Sequence, residues 1–157
     1  MKTPLSSVRL DVFADYNQFY IWDPDLPDVM APEDYTDQDV SNRVKVCSGV
    51  VVVQPVRNMT VPVEIQIYDA DPEFHFNEWQ HIVEAPLQLT KGRIEIHECT
   101  GGSLASLPAP SLNCMVRALF KGLDTLSENG LEGKDFYRVQ IFPSDIIELR
   151  IIKQWTE

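Results

Sequence analysis

Residues 61–68 read VPVEIQIY, and this stretch decides the class of fold. Valine and isoleucine alternate with other residues from 61 to 67, and Glu64 and Gln66 lie between them. Side chains two residues apart share one face of a strand, so the pattern predicts a strand with one buried face and one polar face. Residues 93–98 (RIEIHE) and 113–121 (NCMVRALFK) repeat the alternation and predict two more strands.

The rest of the chain carries strand signals with turns between them. Further stretches rich in β-branched and aromatic residues are 8–13, 18–22, 44–53, 74–89, 136–142 and 146–155. The consecutive valines within 44–53 predict a strand buried on both faces, and we expect Pro86 to interrupt 74–89. Residues 100–110 and 122–134 contain Gly, Ser and polar residues, and we predict loops there.

Strands dominate this pattern, and no strand–helix–strand alternation occurs. One short helix is predicted at residues 37–43, because Thr36 is suited to cap it and acids follow in its first turn. We therefore predict an all-β fold, an antiparallel β-sandwich of jelly-roll or C2-like type with one short helix, in a single domain spanning residues 1–157. Residues 50–53 or 146–155 could form an edge that pairs two chains, which leaves a homodimer open.

The net charge disfavours two classes of partner, and the cysteines and apolar pattern indicate where the protein resides. The net charge is −11, from 13 basic and 24 acidic residues, which disfavours binding to nucleic acid or to an anionic membrane. Cys47, Cys99 and Cys114 have no paired spacing and indicate no disulfide framework. We find no signal peptide at the N-terminus and no apolar run of about 20 residues, and we expect a cytoplasmic protein.

The most acidic part of the chain follows an aromatic stretch. Residues 23–39 hold seven acids and no Lys or Arg. Such a run is either a solvated loop or a docking surface for a basic partner. In residues 16–22, alternate side chains face out while Phe19 and Ile21 face in, and residues 15–17 form a bend between two strands. Our candidate partner-binding residues are Asp23, Asp25, Asp28, Asp34, Asp37 and Asp39, with Tyr16, Tyr20 and Trp22 as anchors.

Motifs for catalysis are missing from this sequence. No Gly-x-Ser-x-Gly elbow occurs, and His75 and His81 are about 20 Å apart along an extended strand. We predict no catalytic residue, no metal and no cofactor. Two Asp-x-Asp loops, at residues 23–25 and 69–71, support an alternative: a calcium- or small-ligand-binding module, if the two loops converge.

The stretch DYNQFYIW at residues 15–22 resembles the Tyr-x-Gln-Phe strand of competence protein J, the inhibitor of a DNA-entry nuclease. Later features follow in a similar order: an acidic segment with a Thr-Asp helix start, a valine-rich strand, and a Pro-Leu strand at residues 86–87. Uncharacterised bacterial proteins share this pattern. The resemblance implies a non-enzymatic inhibitor or immunity-type protein whose partner is another protein, a basic nuclease among the candidates. It assigns no role to any single residue.

Overall fold

The computed structural model describes residues 3–156, so Met1, Lys2 and Glu157, at the ends of the predicted domain, lie outside the described residues. One α-helix, α1 (Asp37–Asn42), and short 3-10 turns at Asp15–Asn17 and Phe76–Glu78 accompany the strands. The strands are β1 (Ser6–Phe13), β2 (Phe19–Trp22), β3 (Val44–Cys47), β4 (Val50–Val53), β5 (Thr60–Ile67), β6 (His81–Gln88), β7 (Arg93–Glu98), β8 (Gly102–Pro108), β9 (Asn113–Lys121), β10 (Phe136–Pro143) and β11 (Arg150–Lys153).

The strands form two sheets. Sheet A has the order β1-β5-β10-β9-β6-β11, and sheet B has the order β3-β4-β2-β7-β8. The pairing of β5 with β10 is parallel, and the other pairings described are antiparallel. The predicted all-β sandwich is confirmed, with this one parallel pair as an addition. No helix within residues 3–156 is long and apolar enough to cross a membrane.

The core lies between the two sheets and follows the predicted alternation. Residues 61, 63, 65 and 67 of β5 are buried in it, together with Phe19 and Ile21 of β2 and Ile94 and Ile96 of β7. Burying each such side chain contributes about 1.5–3 kcal/mol to folding. The period-2 pattern therefore identified the inward faces of both sheets.

The predicted strand at 44–53 is wrong, because it is a hairpin. Ser48 and Gly49 form a two-residue turn between β3 and β4, and Gly49 adopts a left-handed backbone with φ 72°. Strand β4 lies between β3 and β2, and both of its faces are covered: Val51 and Val53 lie in the core between the sheets, and Val50 and Val52 lie under apolar side chains of residues 29–35. Residues 50–53 are therefore interior and cannot be the edge that pairs two chains.

Three other predictions also need correction. Residues 100–110 are not all loop, because β8 occupies Gly102–Pro108 at the edge of sheet B. Within 74–89 only β6 is a strand, and its N-terminal part instead contains a 3-10 turn. Of residues 146–155, only β11 pairs with the sheet, at its edge and with a register shift between Ile151 and Lys153.

Pro86 lies inside β6 and does not interrupt it. The Leu89 N–H donates to Leu112 O, so odd-numbered residues of β6 direct their backbone groups toward β9. The nitrogen of Pro86 therefore faces the other side. There, β11 pairs no further than Glu84, and no ladder hydrogen bond is lost.

Candidate protein-docking face

The acidic segment is packed onto sheet B. We call residues 23–36 the acidic strap. Its apolar side chains Val29, Ala31 and Tyr35 lie against Tyr20 and against Val50 and Val52 on the outer face of the sheet. Gly49 permits this packing, since a Cβ there would lie 2.5 Å from Leu26 Cδ2. The strap is thus held by its apolar residues, and its acids are left to face outward.

Asp23 is the exception among these acids, because it is buried with 1% of its surface exposed. One carboxylate oxygen accepts from Asp25 N–H at 3.0 Å, and the other accepts from Thr90 N–H at 2.9 Å and Thr90 Oγ1–H at 2.7 Å. The side chain therefore ties the start of the strap to the turn that precedes β7. As a predicted docking acid it has to be set aside, since a partner cannot reach it in this conformation.

The remaining acids of the strap and of α1 differ in exposure. Asp28, Asp34 and Asp37 are exposed, as is Glu33, and Asp25 is half-buried. Asp39 belongs to the helix cap: it accepts from Thr36 N–H at 2.9 Å while Thr36 Oγ1 accepts from Asp39 N–H. Lys45 Nζ donates to Asp39 at 2.8 Å, and this hydrogen bond lowers the pKa of the carboxyl. The predicted helix and its Thr36 cap are confirmed.

The three predicted aromatic anchors also differ in their exposure to solvent. Tyr20 is 5% exposed and lies under the strap, and burial raises the pKa of its hydroxyl far above the usual value. Trp22 is half-buried and stacks on His97, with ring centroids 4.6 Å apart. Tyr16 is 69% exposed. The anchor role stays open for Tyr16, whereas Tyr20 serves the packing of the strap.

Tyr16 projects from the bend that joins sheet A to sheet B. Tyr16 and Asn17 both have a left-handed backbone, with φ 57° and 58°, a conformation that costs roughly 1–2 kcal/mol per non-glycine residue. The Tyr16 N–H donates to Asp15 Oδ1 and to Asn58 Oδ1, both at 3.1 Å. Asn17 Nδ2 donates to Pro55 O at 3.1 Å. These bonds hold a strained bend that directs the tyrosine ring to solvent.

Gln18 is a residue whose importance sequence reasoning missed. Its Oε1 accepts from Tyr20 OH at 2.7 Å and from Tyr35 OH at 2.8 Å, and its Nε2 donates to Tyr16 O at 3.3 Å. One amide thus links the bend, the sheet and the strap. Burial raises the pKa of Tyr35 to about 12, so its hydroxyl stays a donor. Pattern alone places Gln18 on an outward face and says nothing about these bonds.

The outer face of sheet A holds a buried ionic network. Arg117 is 2% exposed and lies between the rings of Phe74 and Phe142, at 4.5 and 4.7 Å from their centroids. It donates to Glu84 at 2.9 Å and to Asp71 at 2.7 Å. These contacts hold Asp71, Pro72 and Phe74 over the sheet, and every nitrogen of the guanidinium has a partner.

The two Asp-x-Asp loops do not converge. No group of three or more His, Cys, Asp or Glu side chains within residues 3–156 is placed to hold a metal ion. Asp23 and Asp71 instead bind the protein donors described above. The three histidines are also used separately: His97 contacts Glu95 at 2.9 Å, and His81 is fully buried, while His75 is exposed.

Fold and surface together define a class: a two-sheet β-sandwich with an acidic strap packed on one face. A similar solved structure is that of ComJ, inhibitor of the DNA degrading activity of NucA, from Bacillus subtilis. It has a TM-score of 0.66 and 19% identity, and the match covers 92% of this chain and 99% of ComJ. The predicted resemblance to competence protein J is therefore confirmed at the level of the fold.

A second solved structure carries the description crocagin biosynthetic gene J. Its TM-score is 0.48 and its identity 13%, and the match covers 88% of this chain and 96% of that one. At this TM-score the likeness supports no argument. No family model matches the chain, and no curated protein matches it either.

Proposed function

We propose that this chain is a non-catalytic, cytoplasmic protein-binding domain that inhibits a nuclease by occluding its basic active-site cleft. The observation that carries the proposal is the fold shared with a nuclease inhibitor over nearly the whole length of both chains. The exposed acids Asp28, Glu33, Asp34 and Asp37 supply the chemistry. A nuclease cleft binds phosphates through cations, and the exposed carboxylates offer negative charge to the same cations.

Packing of the strap favours this mechanism. Because Val29, Ala31 and Tyr35 are already packed on sheet B, docking does not have to order the acids first, and the entropic cost of binding is reduced. Opposite charges also accelerate the encounter, since steered association exceeds the usual rate of about 10⁵–10⁶ M⁻¹s⁻¹ by orders of magnitude at low salt. We expect rapid, salt-sensitive association and no direct binding to DNA.

The test is a DNA-degradation assay with purified NucA, the nuclease that ComJ inhibits. Adding this protein should stop DNA cleavage at near-equimolar concentration, with an association rate that falls as salt is raised. DNA cleavage that continues at full rate with excess protein would overturn the proposal.

A matched pair of variants separates the strap from net charge alone. The strap variant carries Asp28→Asn, Glu33→Gln and Asp34→Asn in the strap, together with Asp37→Asn at the start of α1. The control variant neutralises four exposed acids elsewhere: Glu73, Asp124, Glu128 and Glu132. Both variants change the net charge equally, yet only the strap variant should associate more slowly and inhibit poorly. Equal losses in the two would refute docking through the strap.

A further inference from the structure

We propose that a groove in the acidic strap receives a lysine or arginine side chain of the partner and thereby anchors the complex. This inference rests on the proposed function. Residues 26–33 of the strap line the groove, together with Cys47 and Ser48 of the β3–β4 hairpin. Its volume is about 550 Å³, which lies within the range of about 300–1,000 Å³ typical of ligand sites. A long side chain therefore fits inside it.

The charged side chains that line the groove are both acidic. Asp28 and Glu33 belong to the lining, whereas no lysine, arginine or histidine among the described residues does. Both acids are exposed, and within residues 3–156 neither carboxylate has a hydrogen bond or an ion pair. Asp39, in contrast, is already paired with Lys45. The two carboxylates of the groove can therefore accept hydrogen bonds from a cation that the partner brings.

The rest of the lining is mostly apolar, and this combination selects the occupant. Leu26, Val29 and Met30 contribute to it, and Met30 is 67% exposed. Lysine and arginine bury their methylene stems along apolar surface while the charged head stays outside or meets an acid. An acidic side chain would be repelled, and a purely apolar one would remove water from the carboxylates without pairing them. Only a long basic side chain matches both parts of the groove.

The groove is formed before any partner arrives. The Val29 N–H donates to Leu26 O at 3.2 Å and closes a turn, and Asp28 within this turn has a left-handed backbone with φ 59°. A strained backbone that its surroundings hold in place is typical of functional positions. Val29 and Ala31 are also packed on sheet B. Docking therefore does not have to order the groove first, which reduces the entropic cost of binding.

The experiment measures binding of NucA by surface plasmon resonance to two double variants of equal charge. The groove pair carries Asp28→Asn and Glu33→Gln, and asparagine tolerates the left-handed backbone at residue 28. The outer pair carries Asp34→Asn and Asp37→Asn, at exposed acids that do not line the groove. We expect the groove pair to dissociate about 10-fold or more faster than the outer pair. Their association rates should agree within about twofold, because both lose the same charge.

Met30→Ala tests the apolar part of the groove without changing its charge. It should raise the dissociation rate at least about threefold and leave association unchanged. The matched control is Val40→Ala, because Val40 is 50% exposed and lies outside the groove. It should leave both rates unchanged, and equal dissociation of Met30→Ala and Val40→Ala would contradict a stem packed on Met30.

The outcomes separate the groove from the proposed function. If wild type inhibits NucA but the groove pair and the outer pair dissociate at the same rate, the groove is refuted and the proposed function stands. A melting temperature of the groove pair lowered by more than about 4 °C would show that its carboxylates are structural, and would overturn the anchor. If wild type does not bind NucA, the proposed function fails and the groove with it.

Discussion

Replacing Asp23 with alanine should destabilise the protein far more than replacing any exposed acid of the strap. Asp23 accepts three hydrogen bonds while almost fully buried. A hydrogen bond to a charged group contributes about 1.5–3 kcal/mol. Both Thr90 donors share one oxygen, and water reaches the half-buried Asp25 after truncation, so we expect a total of about 3–4 kcal/mol rather than the full sum. For a chain of this length that lowers Tm by roughly 6–16 °C.

Urea unfolding monitored by tryptophan fluorescence, with the m-value checked for constancy, gives the free energy of unfolding. The control is Asp34→Ala, because Asp34 belongs to the same strap and is exposed. It should change the free energy of unfolding by no more than about 0.5 kcal/mol. If the two variants unfold at the same urea concentration, Asp23 does not hold the strap to Thr90. Our distinction between the structural Asp23 and the exposed acids of the strap is then wrong.

Further predictions concern the contacts that hold segments on the outer faces of the two sheets, and the buried His81. Arg117→Met removes one of the two arginines that donate to the buried Glu84, while Arg150 keeps its bond at 2.6 Å, and should cost about 1–3 kcal/mol in urea unfolding. Combined with Glu84→Met, the loss should be smaller than the sum of the two single losses, and additive losses would contradict the network. Gly49→Ala should displace the strap at Leu26 and weaken NucA binding, and wild-type affinity would refute this. Burial lowers the pKa of His81, so its contribution to stability is complete above about pH 6.5. That contribution should fall by at most about 1.4 kcal/mol per pH unit as the pH drops, and the His81→Gln variant should lack this dependence in urea melts.

The structure explains the sign of the pH effect. His81 Nε2–H donates to Asn42 O at 2.7 Å, and Nδ1 accepts from Trp155 N–H at 3.1 Å. The bond from Trp155 requires the neutral ring, because a protonated Nδ1 would face the Trp155 N–H. The bond to Asn42 survives protonation and by itself raises the pKa, but the effect of burial is larger. The unfolded chain therefore takes up the proton first as the pH falls, and the folded state loses stability.

Periodicity predicted the strands with one face in the core and failed for strands in other environments. Strands β5 and β7 alternate because one face packs in the core and the other carries polar side chains. Strand β9 is buried on both faces, since Met115 and Leu119 belong to smaller apolar clusters outside the main core. Strand β8 is at an edge and mostly exposed, so its sequence GSLASLP carries little alternation and was predicted as loop. The register between β7 and β8 shifts between Ile96 and His97, so that Leu104 of β8 has no partner on β7. Such a bulge blunts an edge without any charge that a sequence could reveal.

The number of acids in a segment does not show which of them the fold buries. All seven acids of residues 23–39 look alike in the sequence, yet their roles depend on which donors the fold brings to them. Thr90 is 67 residues away from Asp23 in the chain, and no local pattern predicts that contact. The Thr36–Asp39 cap, in contrast, is a local motif that the sequence predicts well, since the two residues are three positions apart.

The division of the strap into packed and displayed residues also constrains how its acids act. Val29, Ala31 and Tyr35 face the sheet, while the neighbouring Asp28, Glu33 and Asp34 face solvent. An equally acidic loop without those apolar residues would be disordered, and it would lose conformational entropy on docking. Affinity should therefore depend on buried side chains such as Val52, which no partner touches, as well as on the acids. Under the proposed function, the acids would set how fast a basic partner arrives, and the packing beneath them would determine how long it stays.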